Sequence, residues 1–322
     1  MKKLAISAAV VAALLSTTAM AEVSISGTSE FYYKNDDSQI TANNGDSMGT
    51  TDNEIIITFS KKNDTGLEFG MVTELDVTTD SSTTTDESYM YISGSAGKLV
   101  LGGNDAVTDN FGIGEQDIMD EEVTGTYTSA TIGALNAGEK SYGADLIKVS
   151  YFTPAIGGLT AGVSYYDSGA TGTSDSTSFG LGYAFGDIKI GYTNGTEEVS
   201  GAIDNKSQNL GAKLALGNAT FIAAVSKVEG ADEDIDSIGF GASYKVNDTI
   251  TIAASTLNSE DSLDLSGTEK EELTQHSFEI KYQIAPGLAG YVNYTDYDYK
   301  NGGEASTDDN GAVTQFKIAA SF

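Results

Sequence analysis

The sequence contains no cysteine, no tryptophan and no arginine, and only 2 of its 322 residues are proline. Without cysteine, the chain forms no disulfides and offers no thiolate metal ligands. The 17 basic residues are therefore all lysines, against 47 acidic residues, and the formal net charge is −30. A surface this acidic repels phosphate backbones, so we predict that nucleic acid is not a partner.

Long hydrophobic runs are also missing, apart from one at the N-terminus. Two lysines precede an apolar stretch from Ala8 to Leu15, and the small residues Ala19-Met20-Ala21 follow it. This order of charge, apolar run and small residues is typical of a secretory signal peptide. A transmembrane helix needs about 20 predominantly apolar residues, which this run does not provide. We predict a cleaved signal peptide over residues 1–21 and one mature domain over residues 22–322.

Apolar and polar residues alternate along most of the mature chain. Leu67, Phe69 and Met71 share one phase, while Glu68 and Glu74 lie in the other. A period of two places side chains on opposite faces of a strand. Sixteen segments show this pattern, with approximate spans 22–34, 52–61, 67–78, 86–94, 97–103, 142–152, 159–166, 178–185, 188–193, 208–216, 219–226, 237–246, 249–256, 274–284, 288–295 and 311–322.

The connections between these segments alternate in length. Seven are short turns, which include both prolines, Pro154 and Pro286, and the other eight are longer, polar and rich in acidic residues. Short turns on one side, long loops on the other and an even strand number are typical of outer-membrane barrels. The sequence therefore predicts an all-β fold, a 16-stranded antiparallel transmembrane β-barrel.

The two faces of the predicted strands fit lipid on one side and water on the other. Tyrosines recur in the apolar phase near strand ends, as in the aromatic girdles at membrane interfaces. The other phase carries more charges than a dry core can bury. We assign to the lumen wall Glu30, Lys34, Glu54, Glu68, Glu74 and Lys148, and we also place Lys61 and Asp76 there.

The longest connection, residues 103–141, differs from the others in length and composition. It has 39 residues, whereas structureless loops beyond about 12–15 residues usually serve a function. Its apolar residues Phe111, Ile113, Ile118, Met119 and Val123 can pack against another surface. Its candidate functional residues are the carboxylates Asp105, Asp109, Glu115, Asp117, Asp120, Glu121 and Glu122.

Three short segments carry a resemblance to a known family. The run Gly97-Lys-Leu-Val-Leu-Gly-Gly-Asn-Asp105 leads into the long connection, residues 148–159 follow it, and the chain ends at Phe322. These segments resemble general Gram-negative porins, particularly the alphaproteobacterial type. The resemblance implies a homotrimer of 16-stranded barrels in the cell outer membrane, with the third external loop, here 103–141, folded inward to constrict the pore. It also implies that Phe322 is the terminal signal read by the barrel-assembly machinery.

The lack of arginine is a departure from the resembled family. Its members usually have an arginine-rich cluster on the barrel wall that faces the acidic loop. Here the wall of the first strands is mainly acidic as well. Carboxylates around a constriction attract cations. We therefore expect passive, cation-preferring diffusion of small hydrophilic solutes. The resemblance implies no cofactor, although loosely bound calcium is possible among the external carboxylates, with no residue set specified.

Other functions are weakly supported by the sequence. His276 is the only histidine and lies in the outward phase, so the sequence predicts no catalytic residues and no enzyme. A substrate-specific channel on the same barrel stays open as an alternative. A secreted, β-rich adhesin is a further alternative, although the irregular spacing of the strands does not show the fixed repeat that a solenoid requires.

Overall fold

The fold is a closed barrel of sixteen antiparallel strands in sequential order, with β1 paired to β16. The computed structural model describes residues 22–40, 44–77, 84–119, 140–169, 174–198, 203–231, 233–262, 270–300 and 308–322. The strands are β1 Glu22–Asp36, β2 Gly45–Lys62, β3 Glu68–Asp76, β4 Thr84–Gly94, β5 Gly97–Gly103, β6 Ile147–Phe152, β7 Leu159–Tyr166, β8 Asp175–Phe185, β9 Ile188–Glu198, β10 Asn205–Leu216, β11 Ala219–Glu229, β12 Asp234–Lys245, β13 Ile250–Asp261, β14 Glu271–Ala285, β15 Leu288–Lys300 and β16 Asp309–Ser321. The predicted 16-stranded antiparallel barrel is confirmed. Among the described residues, no helix has the length and apolar character needed to cross a membrane.

Alternation separates the two faces of the barrel as the pattern predicts. Phe59 pairs with Met71 on the outer face, and Glu54 pairs with Asp76 on the inner face. Lys61, however, pairs with Phe69 and therefore lies on the outer face. Its predicted place on the lumen wall is wrong, because the phase of β2 at this end follows its outward apolar residues.

Most strands extend further at their long-loop ends than the sequence predicts. The apolar signal of β13 ends at residue 256 and that of β15 at residue 295, yet these strands continue to Asp261 and Lys300. A hydrogen-bonded ladder does not need apolar side chains, so pairing continues beyond the apolar band. Several acidic residues assigned to loops therefore lie on strands, among them Asp46, Asp234, Asp261, Glu271 and Asp298.

Two strands, β3 and β6, are shorter than predicted, and the difference is larger for β6. β6 begins at Ile147, so the connection before it runs to residue 146 instead of residue 141. Gly143 and Asp145 have φ angles of 76° and 57°, and a left-handed backbone does not fit a strand. The predicted start of this strand at residue 142 is wrong for that reason.

The short turns and the two strand termini of the barrel lie at one end, which we call the short-turn end. Gly186 and Gly217, with φ angles of 58° and 60°, begin the two-residue turns after β8 and β10. The opposite end, with the longer connections, is the long-loop end. At the short-turn end the chain closes on itself, because the Phe322 N–H donates to the Gly27 carbonyl at 2.9 Å.

Candidate functional site: the lumen and its in-folded loop

The connection between β5 and β6 is here called loop 3, and its described residues lie inside the barrel. Residues 104–119 and 140–146 of it are described, and they include helix α1, Val107–Phe111, and a 3₁₀ turn, Glu115–Ile118. Helix α1 contacts β7, β8 and β9, while the 3₁₀ turn contacts β11, β12 and β13. Loop 3 therefore crosses the inner wall over half of the barrel, as an in-folded third loop is expected to do.

The wall under loop 3 is built from glycines, which we call the glycine track. A Cβ atom added at Gly182 would lie 3.0 Å from the Phe111 ring, and one at Gly241 would lie 2.8 Å from the Glu115 carbonyl oxygen. Such approaches leave no room for a larger side chain. Its members are Gly180, Gly182, Gly191, Gly211, Gly239 and Gly241. The sequence signal for the track is glycine recurring in the polar phase of neighbouring strands, which the sequence prediction missed.

Apolar side chains of loop 3 pack against the wall beside these glycines. The rings of Phe111 and Phe152 stack with centroids 6.2 Å apart. Ile118 is buried with Ile222 and Ala253, and Ile113 and Met119 also pack against that pair. The predicted packing of the loop's apolar residues is thus observed for four of them, whereas Val123 lies outside the described residues.

Polar contacts fix the same part of loop 3 to the wall. Asn209 accepts a hydrogen bond from the Ile113 N–H at 3.3 Å and donates its amide to the Ile113 carbonyl at 3.2 Å. The Lys213 ammonium donates to the Asp117 carbonyl at 3.2 Å. Because one side chain bonds both the N–H and the carbonyl of Ile113, Asn209 sets the depth of the loop in the lumen.

Residues 140–146, the returning part of loop 3, are also attached to the barrel wall. Lys140 forms an ion pair with Glu233, and its carbonyl accepts a hydrogen bond from Ser207 at 2.7 Å. Tyr142 lies against Gly195, and burial raises the pKa of its hydroxyl. These contacts hold this part of the loop against β9, β10 and the residue that precedes β12.

The predicted acidic residues of loop 3 have different environments. The Asp105 N–H donates to Glu87 at 2.8 Å, and Asp109 accepts a hydrogen bond from Ser141 at 2.9 Å. Burial raises the pKa of both Asp105 and Asp109. The charges of these two carboxylates therefore change at a higher pH than that of an ordinary aspartate.

Two other acidic residues of the loop make contacts with the loop itself or with the barrel wall. Asp117 accepts a hydrogen bond from the Gly114 N–H at 2.9 Å. Glu115 is only 2% exposed, because its side chain lies over Gly239 in the glycine track. Glu115 therefore packs against the wall instead of facing open lumen. Asp120, Glu121 and Glu122 lie outside the described residues.

Carboxylates gather where loop 3 enters the barrel and on the adjoining wall. Two groups each bring three carboxylates to within 4.8 Å of one another. We call them the wall group, Glu54, Glu74 and Asp86, and the loop-entry group, Glu87, Asp105 and Asp145. Beside the loop-entry group, the buried Lys148 donates to the carbonyl of Asn104. Oxygen-only clusters of this kind attract hard cations.

The remaining predicted wall residues also face inward, each with a specific partner. Glu30 forms an ion pair with Lys317 at 2.8 Å, and Lys34 lies 5.9 Å from the centre of the Tyr32 ring. Glu68 accepts a hydrogen bond from the Tyr91 hydroxyl at 2.9 Å. The sequence placed these side chains on the inner face, but it could not identify the partners of Glu30 and Glu68, which lie on neighbouring strands.

Two singled-out residues lie away from the lumen. His276 is exposed on the outer face of β14, paired with Thr256 and Asp296 on its neighbours. The outward position predicted for His276 is what the structure shows. The Phe322 side chain is 83% exposed beside the β1–β16 seam, where it is open to contact from outside the barrel.

Comparisons with known proteins agree with this architecture. Residues 7–302 match a family model described as Gram-negative porin. The anion-selective porin from Comamonas acidovorans matches with a TM-score of 0.72 and 18% identity, covering 94% of this chain and 100% of that one. OmpT of Vibrio cholerae, folded in vitro, matches with a TM-score of 0.74 and 14% identity, covering 96% and 99%. The comparison with curated proteins found no match. By its match over most of its length, the chain belongs to the Gram-negative porin family.

Proposed function

We propose that this porin is a passive, cation-preferring channel for small hydrophilic solutes in the outer membrane. Family and fold support a porin channel at that location. The observation that carries the ion preference is the pair of three-carboxylate groups at the entry of loop 3 and on the wall beside it. The full sequence has no arginine with which to oppose them.

The close spacing of the carboxylates, compared with the screening length, supports the cation preference. Screening acts over about 8 Å at physiological salt, so carboxylates within one group act together, while isolated charges at a wide rim largely do not. Rings of acidic side chains favour cations in other channels. The family is one of channels, and the prediction that this chain is not an enzyme rests on that membership.

The zero-current potential of the purified protein in a KCl gradient tests the preference. A potential of the sign expected for potassium supports the proposal, and an anion-selective sign contradicts it. Neutralising Asp117, Asp120, Glu121 and Glu122 together is expected to reduce the potential. An equal reduction from neutralising Glu304 and Asp308 in the last loop would instead place the determinant outside loop 3.

We infer self-association into a homotrimer from the outer surface of β2–β5. Outward tyrosines such as Tyr33, Tyr151 and Tyr165 occur elsewhere around the barrel, but both tyrosines of β2–β5, Tyr89 and Tyr91, face the lumen. An apolar face without interfacial tyrosines suits contact with protein better than an interface with water. One similar solved structure is described as the trimer form of OmpT of Vibrio cholerae.

A charged residue on this face tests the trimer. Met71→Glu is expected to yield monomers in detergent by light scattering coupled to size-exclusion chromatography, because it buries an unpaired charge in the contact. Val225→Glu, on the outer face of β11, is the matched control and is expected to remain trimeric. A trimer that survives Met71→Glu would contradict the assignment of this face.

Two further predictions concern partners. We propose that Phe322 is read by the barrel-assembly machinery, which its exposure beside the seam supports, and that deleting it lowers the yield of folded barrel in outer membranes. Loosely bound calcium also stays a prediction. The wall and loop-entry groups supply the oxygen donors that calcium prefers, and no tightly bound cofactor is expected.

A further inference from the structure

Inward-facing lysines are concentrated near the short-turn end of the barrel. In outer-membrane barrels this end faces the periplasm. The lysines are Lys98, Lys189, Lys213, Lys245 and Lys281, each on the inner face and close to a short turn. The wall and loop-entry groups, by contrast, lie towards the long-loop ends of β3, β4 and β5. These five lysines and the two carboxylate groups therefore lie towards opposite ends of the channel.

Two of these lysines lie directly opposite each other. Lys189 of β9 and Lys213 of β10 are cross-strand partners on the inner face. Residues in this relationship have Cβ atoms about 4.5–5.5 Å apart, and like charges there repel. No described carboxylate lies within ion-pair distance of either ammonium, whereas Lys245 pairs with Asp248 at 3.5 Å. Within the part of the chain that the structure describes, the pair is thus a local excess of positive charge.

The two ammonium groups share a pocket beneath loop 3. The pocket has a volume of about 660 Å³ and is lined by Asn110, Gly112, Asp117, Thr160, Lys189 and Lys213. Its lower edge includes Ala155 and Gly158 of the turn between β6 and β7. It is therefore reached from the periplasmic side without passing the carboxylates at the entry of loop 3.

The charged groups of the pocket are arranged to receive an anion. Lys213 is held in place by its hydrogen bond to the Asp117 carbonyl, and an ammonium has three donors, so two remain. Among the described residues, Lys189 has no ion-pair partner. The Asp117 carboxylate also lines the pocket, and one of its oxygens accepts the Gly114 N–H within loop 3. Two ammonium groups against one carboxylate leave the described lining net positive, which favours a small oxyanion.

We propose that Lys189 and Lys213 form a binding site for small oxyanions, such as phosphate, that enter from the periplasm. The site lies on the periplasmic side of loop 3, beneath the carboxylates that are proposed to favour cations. The proposal goes beyond the function given above and does not depend on its sign of ion selectivity. Binding is measurable in detergent, where no current flows.

Titration calorimetry of the whole purified protein with inorganic phosphate tests the site, at constant ionic strength set with chloride. Wild-type protein is expected to bind phosphate. Lys189→Gln is expected to weaken binding about tenfold or more, because a charged hydrogen bond is lost. Lys245→Gln removes another inward lysine near the short-turn end, one that has its own carboxylate partner, and it is expected to leave binding unchanged.

Lys189→Arg keeps the positive charge, so it distinguishes loss of the charge from misfolding as the cause of weaker phosphate binding. It is expected to retain phosphate binding, and the heat-induced gel shift confirms a folded barrel for each variant. Absence of phosphate binding by the wild type would overturn the proposal. Equal weakening by Lys189→Gln and Lys245→Gln would also overturn it, because binding would then reflect the general charge of the mouth.

Discussion

Lys317 of the last strand donates to Glu30 of the first strand, with Nζ and Oε2 2.8 Å apart, across the seam that closes the barrel. Their side chains are 3% and 10% exposed. Thr51 donates to the same carboxylate oxygen at 2.8 Å. The charge pair thus joins β16, β1 and β2 at the position where chain ends that are distant in sequence must meet.

Removing one member of this pair is expected to destabilise the barrel. Lys317→Met leaves Glu30 buried without its cation, and such losses cost about 3–5 kcal/mol. The temperature at which the folded band disappears on gels is the measurement. Lys300→Met is the control, because its pairs with Glu272 and Asp298 are exposed and contribute about 1 kcal/mol or less. Equal shifts for both variants would show that the seam pair has no special role.

The glycine track is expected to set the width of the channel. Gly180→Val places two methyl groups where the Phe111 ring lies, so loop 3 has to leave the wall. Overpacking of this kind costs about 1–3 kcal/mol, which the barrel tolerates. Single-channel conductance is expected to change, together with faster protease cleavage of loop 3. Gly290→Ala, whose added atom has no neighbour closer than 3.7 Å, is expected to conduct as the wild type.

The wall group is expected to contribute to the cation preference. Replacing Glu54 and Glu74 with glutamine is expected to lower the zero-current potential, and more strongly at low salt, where screening is weaker. Asp296→Asn with Asp298→Asn removes two carboxylates from the outer face of β15 and serves as the control. Similar losses in both double variants would indicate that total charge, and not position, determines selectivity.

Acid is expected to reduce the cation preference before ordinary carboxyl groups titrate. Burial raises the pKa of Asp105 and Asp109, so both become neutral at a higher pH than an ordinary aspartate, whose pKa is about 4. Asp105→Asn with Asp109→Asn is expected to flatten the pH profile of the zero-current potential in that range. An unchanged profile would assign the effect to other carboxylates.

The raised pKa values of Asp105 and Asp109 also determine how the stability of the folded state changes with pH. A carboxyl group with a raised pKa in the folded state binds protons more tightly there than in the unfolded chain. Its favourable contribution is present at low pH and is lost as pH rises through the raised pKa. Protection of loop 3 from proteolysis is therefore expected to be greater at mildly acidic pH than at neutral pH, and Asp109→Asn is expected to remove part of this difference.

The sequence predicted the barrel well because membrane strands are defined by a period of two and by turn length, both local features. It predicted the inward phase of Glu30, Glu54 and Glu74 for the same reason. It could not predict the strand extensions beyond the apolar band, where backbone pairing alone continues the ladder. It also missed the partners of Glu30 and the burial of Glu115, since both depend on contacts between residues far apart in sequence.

The glycine track has a consequence for engineering. Loop 3 packs closely against the glycines of its wall. The loop and strands β8–β12 therefore have to be transferred together when segments are exchanged between porins. A chimera that takes loop 3 from this chain without these strands is expected to leave the loop undocked, whereas one that takes both is expected to transfer the constriction intact.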